Sequence, residues 1–120
     1  MTPTEIQRGL QVTNRKLEAK TEELPKLVEA AAQAKRDFQV AKAQKVLEYK
    51  LDGMSVTLIL DLAKGDKAVA DLEFKWAVAE GVSRACGERI KDLRESIGSY
   101  RSLLSYKKTE MEMTPTDGLP

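Results

Sequence analysis

The acidic pairs Glu22-Glu23 and Glu110 with Glu112 are the residues whose type and spacing come nearest to chemistry. Two close carboxylates can share a proton or hold a divalent cation, but only when they are desolvated or joined by further ligands. The chain has no histidine, so a metal site would need clustered carboxylates and a general base would have to be Glu, Asp or Lys. On a helix surface such pairs read as solvated faces. Cys86 is the sole cysteine and has no candidate base beside it, nor does any serine. Ala63-Lys64-Gly65-Asp66 lacks the spacing of a phosphate-binding loop. The expectation is a non-enzyme with no catalytic residue, no cofactor and no metal.

Charge gives one further candidate. Lys35, Arg36, Lys42, Lys45 and Lys50 face only Asp37 and Glu48 in their own stretch, and Lys64, Lys67 and Lys75 can add to them. These five residues are the candidate nucleic-acid contacts. Asp52, Asp61, Asp66, Asp71 and Glu73 alternate with the basic side chains, whereas phosphate binding asks for a one-sided stripe. A solvated surface is therefore preferred to a nucleic-acid groove. Net charge is only +1 across 120 residues, so no strong field draws the chain to polyanions. No stretch approaches the roughly 18 apolar residues of a membrane span, and the N-terminus lacks the basic-then-apolar order of a signal peptide. No membrane association and a cytoplasmic location are expected.

The elements that would position these residues are helices. From Asp66 onward, Val69, Trp76, Ser83, Ile90, Ile97 and Leu104 interleave with Leu72, Ala79, Cys86, Leu93 and Tyr100 at heptad spacing. Ten of these eleven sites are apolar or aromatic within a charge-rich stretch, the pattern of a coiled-coil seam. Cys86 lies on it and reads as a small apolar filler. A matching seam in the first half runs Ile6, Leu10, Thr13, Leu17, Leu24, Leu27, Ala31, Ala34, Phe38 and Ala41, interrupted by Lys20. Thr2-Pro3-Thr4-Glu5 is a helix start, with Thr2 as cap. Pro25 removes one helical hydrogen bond at a cost of about 3 kcal/mol, which predicts a kink or short break after Leu24.

The fold expected is all-α: a long antiparallel two-helix hairpin with a short helical connector, in one domain over residues 1–113. Arm one covers 3–51, the connector 52–65 and arm two 66–113, leaving 114–120 as a flexible tail. The run from Val56 to Leu60 would also suit a strand, but no second strand is present to pair with it. Ser55 can cap a connector helix, Gly65 can end it in the left-handed conformation, and Asp66 can cap arm two. Arms of equal length predict a register in which facing residue numbers total about 116. That sets Ala30, Ala31, Ala32 and Ala34 against Val82, Ala85 and Cys86.

A second apolar stripe points away from the seam. It comprises Ala70, Phe74, Ala77, Val78, Gly81 and Ala85 on arm two and Val40, Ala43, Val46 and Leu47 on arm one. Beyond residue 88 the same face turns polar through Glu88, Lys91, Asp92, Glu95, Ser99 and Ser102. Apolar patches of this kind mark association surfaces, unless the connector folds back over them. Self-association through the connector half into a dimer or larger oligomer, with a four-helix core or more, is the preferred reading. Its interface would consist of Val40, Ala43, Leu47, Phe74, Val78, Gly81 and Ala85. Gly81, Gly87 and Gly98 each weaken arm two by up to about 1 kcal/mol relative to alanine, and Gly81 would let another helix approach closely.

Ala41-Lys42-Ala43, the connector Val56-Thr57-Leu58-Ile59-Leu60-Asp61-Leu62-Ala63-Lys64-Gly65-Asp66 and the following Val69-Ala70-Asp71-Leu72 together resemble a group of small coiled-coil proteins. Bacteriophages and prophages encode these proteins, often within recombination and replication gene clusters. The likeness covers Phe38 to Tyr106. It implies an accessory protein of a bacterial host's cytoplasm that assists a DNA-annealing or replication protein by protein–protein contact, and it brings no catalytic residues. Leu51-Asp52-Gly53 and Tyr106-Lys107-Lys108-Thr109-Glu110 also resemble the turn and tail signal of the WXG100 secretion substrates, which are helical hairpins. The tryptophan of that turn is absent here, and a connector follows Gly53 before the next helix cap.

Overall fold

The structure is a computed structural model that describes residues 1–113; the tail expected over 114–120 lies outside the described residues. Three helices follow one another: α1 (Pro3–Leu51), α2 (Val56–Gly65) and α3 (Lys67–Met113). No strand occurs among the described residues, and α1 and α3 pack as the arms of an all-α hairpin. The connector is helical, as the lack of a pairing strand required.

Local chemistry sets the helix ends. Thr2 Oγ1 accepts from the Glu5 amide at 3.2 Å, and Asp66 Oδ2 accepts from the Val69 amide at 3.2 Å, so both arms start on side-chain caps. Gly53 makes the turn after α1 with φ 75°, a conformation that costs glycine nothing. Gly65 is not left-handed, contrary to expectation. Asp66 ends α2 instead, with φ −62° and ψ 131°. A residue that caps the next helix must itself be extended, and Asp66 serves both helices, which leaves no place for a left-handed residue. Ser55 occupies the first cap position of α2, but its hydroxyl bonds Thr57 Oγ1 at 2.8 Å and caps no amide. No break follows Leu24: α1 continues through Pro25, although its nitrogen has no hydrogen to give to the Thr21 carbonyl.

The chain forms two compact units, one of residues 1–22 with those from Gly87 on, the other of residues 23–86. In the first unit Ile6, Thr13, Ile90, Leu93 and Ile97 are buried. Thr13 is tolerated there because its hydroxyl donates to the Gly9 carbonyl at 2.7 Å. A Cβ on Gly9 would meet the Tyr100 ring at 2.7 Å, so this glycine makes room for the tyrosine. In the second unit the core is Phe38, Ile59, Ala63, Val69 and Cys86. Phe38 stacks on Trp76 with ring centroids 5.6 Å apart. Every seam residue named above is buried or half-buried.

The register within the second unit departs from the expected total of 116. Phe38 meets Trp76, giving 114, and Lys45 meets Asp66 at 3.6 Å, giving 111. Ala31 and Ala32 therefore share a groove with Trp76, Glu80 and Ser83, and the small residues accommodate an indole where Val82, Ala85 and Cys86 had been expected. The arms are nearly equal, 49 and 47 residues, but their ends do not stand level, because α2 takes up length on one side. With Lys45 level with Asp66, residues 46–51 of α1 continue past the start of α3 by roughly 9 Å. Ile59 and Ala63, one turn apart on α2, are 2% and 0% exposed and seal that end of the unit.

Candidate interaction surface

The outer stripe is open. Phe74 is 70% exposed, and Val40, Leu47 and Val78 are each about half exposed. Ala43, Ala70, Ala77, Gly81 and Ala85 are exposed as well. Gly81 has nothing within 4 Å of where a Cβ would stand. Only Val46 leaves the stripe, turning half-buried toward the arms. The connector does not fold back over this surface. At 100° per residue, the Phe74–Val78 and Val40–Leu47 stripes each lie about 180° from their own helix's seam, so the two faces point in opposite directions. Val40 sits in a shallow groove edged by Gln33, Arg36, Asp37, Ala41 and Gln44, one side of which is fixed by a Gln33–Asp37 hydrogen bond of 2.9 Å.

A second part of the surface escapes a heptad reading. Around α2 the apolar residues Leu58, Leu62, Ile59, Ala63, Val56 and Leu60 cover an unbroken arc of about 200°, and Lys64, Thr57, Asp61 and Gly65 occupy the rest. Its centre, Ile59 and Ala63, is buried, while Val56, Leu58, Leu60 and Leu62 remain exposed. Two apolar flanks thus border one covered centre. Leu51 and Met54 beside them are also exposed. The composition of the connector carried this signal, since a helix apolar over most of its circumference is normally covered.

The basic candidates are largely engaged inside the chain. Lys35 Nζ lies 5.5 Å from the centroid of the Trp76 ring, and Lys42 Nζ lies 5.9 Å from that of Phe38, both cation–π distances. Lys45 bonds Glu48 at 3.0 Å and pairs with Asp66. The hydrogen bond to Glu48, with the charges of Asp66 and Glu48, holds its pKa above the ordinary lysine value. Arg36 and Lys50 are exposed. Of the five basic residues that read as one patch in sequence, three are therefore held in separate local contacts.

Glu22, Glu110 and Glu112 are exposed, Glu110 pairs with Lys107 at 3.7 Å, and no group of three potential metal ligands occurs among the described residues. In the unit that holds both chain ends, a groove of about 630 Å³ runs between Pro3 and Gln7 of α1 and Arg101, Leu104 and Met111 of α3, with Ser105, Lys107, Lys108 and Glu112 also on its rim. Cys86 is buried on the seam. No described helix is long and apolar enough to cross a membrane. Comparison with protein families, characterised proteins and solved structures returns no match.

Proposed function

We propose that this chain is a non-enzymatic interaction protein that self-associates through the outer face of its connector half. It then serves as an accessory to another protein, in the manner of the phage-encoded coiled-coil proteins it resembles, where the client would be a recombination or replication protein. The observation that carries the first part is the unpartnered apolar stripe. Burying one Phe or Val side chain contributes about 1.5–3 kcal/mol, and Phe74, Val78, Val40 and Leu47 are all left in water by a single hairpin. Light scattering should find a dimer or larger at micromolar concentration. Phe74→Glu together with Val78→Glu should shift it toward monomer while the helical circular dichroism signal persists, because both positions face solvent within the chain. An unmodified chain that stays monomeric at high concentration would end the self-association reading. The client is sought by pull-down from infected cells, and an affinity for DNA that falls steeply with salt would favour nucleic-acid binding instead.

A further inference from the structure

The outer stripes of α1 and α3 point in opposite directions, and this restricts how copies of the chain can meet. An isologous dimer through one stripe leaves the other in water. A square four-helix bundle needs apolar faces on adjoining sides of each helix, and here they lie on opposite sides. We propose that copies pack side by side and head to tail, the outer face of α1 in one copy against the outer face of α3 in the next, with their connectors at the same end. This rests on the reading that the chain self-associates. Each copy then has two neighbours, and the assembly is a closed ring or an open array according to whether the rotation closes.

Four features favour a second copy of this chain as the occupant. Phe74 is the most protruding side chain of its stripe, and the groove around Val40 is its counterpart. When copies stand level, the register that joins Phe38 to Trp76 also puts Val40 level with Phe74 of the neighbour. The charges are complementary even with Lys45 and Asp66 set aside as partners within the chain: Lys35 to Lys50 keeps four basic and two acidic side chains, whereas Lys67 to Glu80 holds three acidic and two basic. Unlike helices therefore attract and like helices repel. Lastly, α2 has two open apolar flanks, Leu58 with Leu62 and Val56 with Leu60, as a chain with two neighbours requires. Both stripes lie within the unit of residues 23–86, so neighbours that match stripe to stripe bring their connectors to the same end. With so few large side chains, each face is smaller than the ~800 Å² that each partner buries in a standard interface, which suits micromolar association.

One-sided chains test the arrangement. Val40→Glu with Leu47→Glu blocks the α1 face, and Phe74→Glu with Val78→Glu blocks the α3 face; all four sites are exposed and glutamate suits a helix. Each full-length variant alone should be monomeric by light scattering, with self-association weakened at least tenfold. Mixed in equal amounts they should form a one-to-one complex of twice the monomer mass and nothing larger, because one intact α1 face meets one intact α3 face. If the α1-blocked chain still dimerises by itself, packing is α3 to α3 and the proposal is overturned while self-association stands. An unmodified chain that is monomeric at every concentration overturns both. Sedimentation of that monomer with vesicles of mixed neutral and acidic phospholipid would assign the surface to a membrane, and its absence to a foreign protein.

Discussion

Gly9 shows how a single residue can be misjudged by its type. Glycine inside a helix normally costs up to about 1 kcal/mol relative to alanine, and on that ground Gly9, Gly87 and Gly98 look alike. Around Gly87 and Gly98 nothing lies within 4 Å of an added Cβ, while at Gly9 it would press on the Tyr100 ring. Overpacking of this kind typically costs 1–3 kcal/mol, more than the gain in helix propensity. Gly98→Ala should therefore raise the thermal midpoint by a few degrees and Gly9→Ala should lower it, in melts followed by circular dichroism. Gly9→Ala combined with Tyr100→Leu should recover most of the loss. An equal rise for both single variants would show that the ring swings aside freely.

At the scale of the elements, Asp66 and Lys45 fix where the hairpin turns. Asp66 ends α2 through its backbone amide, while its carboxylate caps α3 and receives Lys45 from α1, so one residue joins three helices within the unit of residues 23–86. The Lys45 pKa is raised above 10.5, first by the hydrogen bond to Glu48 and then by the charges of Asp66 and Glu48. A lysine whose folded value is raised adds stability that is fully present below its unfolded value and lost as pH rises through the folded one. The midpoint of the unmodified chain should fall relative to Lys45→Met between about pH 10 and 12 and keep a constant offset from pH 6 to 9. A constant difference across the whole range would mean that Lys45 acts through its aliphatic stem alone. Because exposed ion pairs contribute little, the pair sets the register more than it sets stability.

For the whole molecule, stability should depend on concentration. A chain that leaves Phe74, Leu47 and the flanks of α2 in water gains from any partner that binds only its folded form, and this shifts the midpoint by mass action. The unmodified protein should melt several degrees higher at 200 than at 5 micromolar, whereas Phe74→Glu with Val78→Glu should melt at one temperature throughout. A midpoint independent of concentration in both would argue that no assembly is populated near the transition. High salt should not abolish the effect, because the contact is mainly apolar and screening acts on charges.

The sequence by itself determined the seam along which the two arms turn inward. Heptad spacing from Val69 to Leu104 and from Ile6 to Ala41 is a local property of a helix with 3.6 residues per turn, so both seams and both arm limits were legible without any tertiary information. The caps at Thr2 and Asp66 were legible for the same reason, since a side chain capping its own helix reaches only three residues. Register was not. Translating one helix along another keeps apolar residues facing apolar residues, and the choice among registers fell to single fits: Phe38 on Trp76, Gly9 under Tyr100, and Ile59 with Ala63 closing the end over which α1 outruns α3. The outer stripe could be seen in the residue types, but whether the connector covers it depends on which way α2 folds, and only the tertiary structure decided that it remains open.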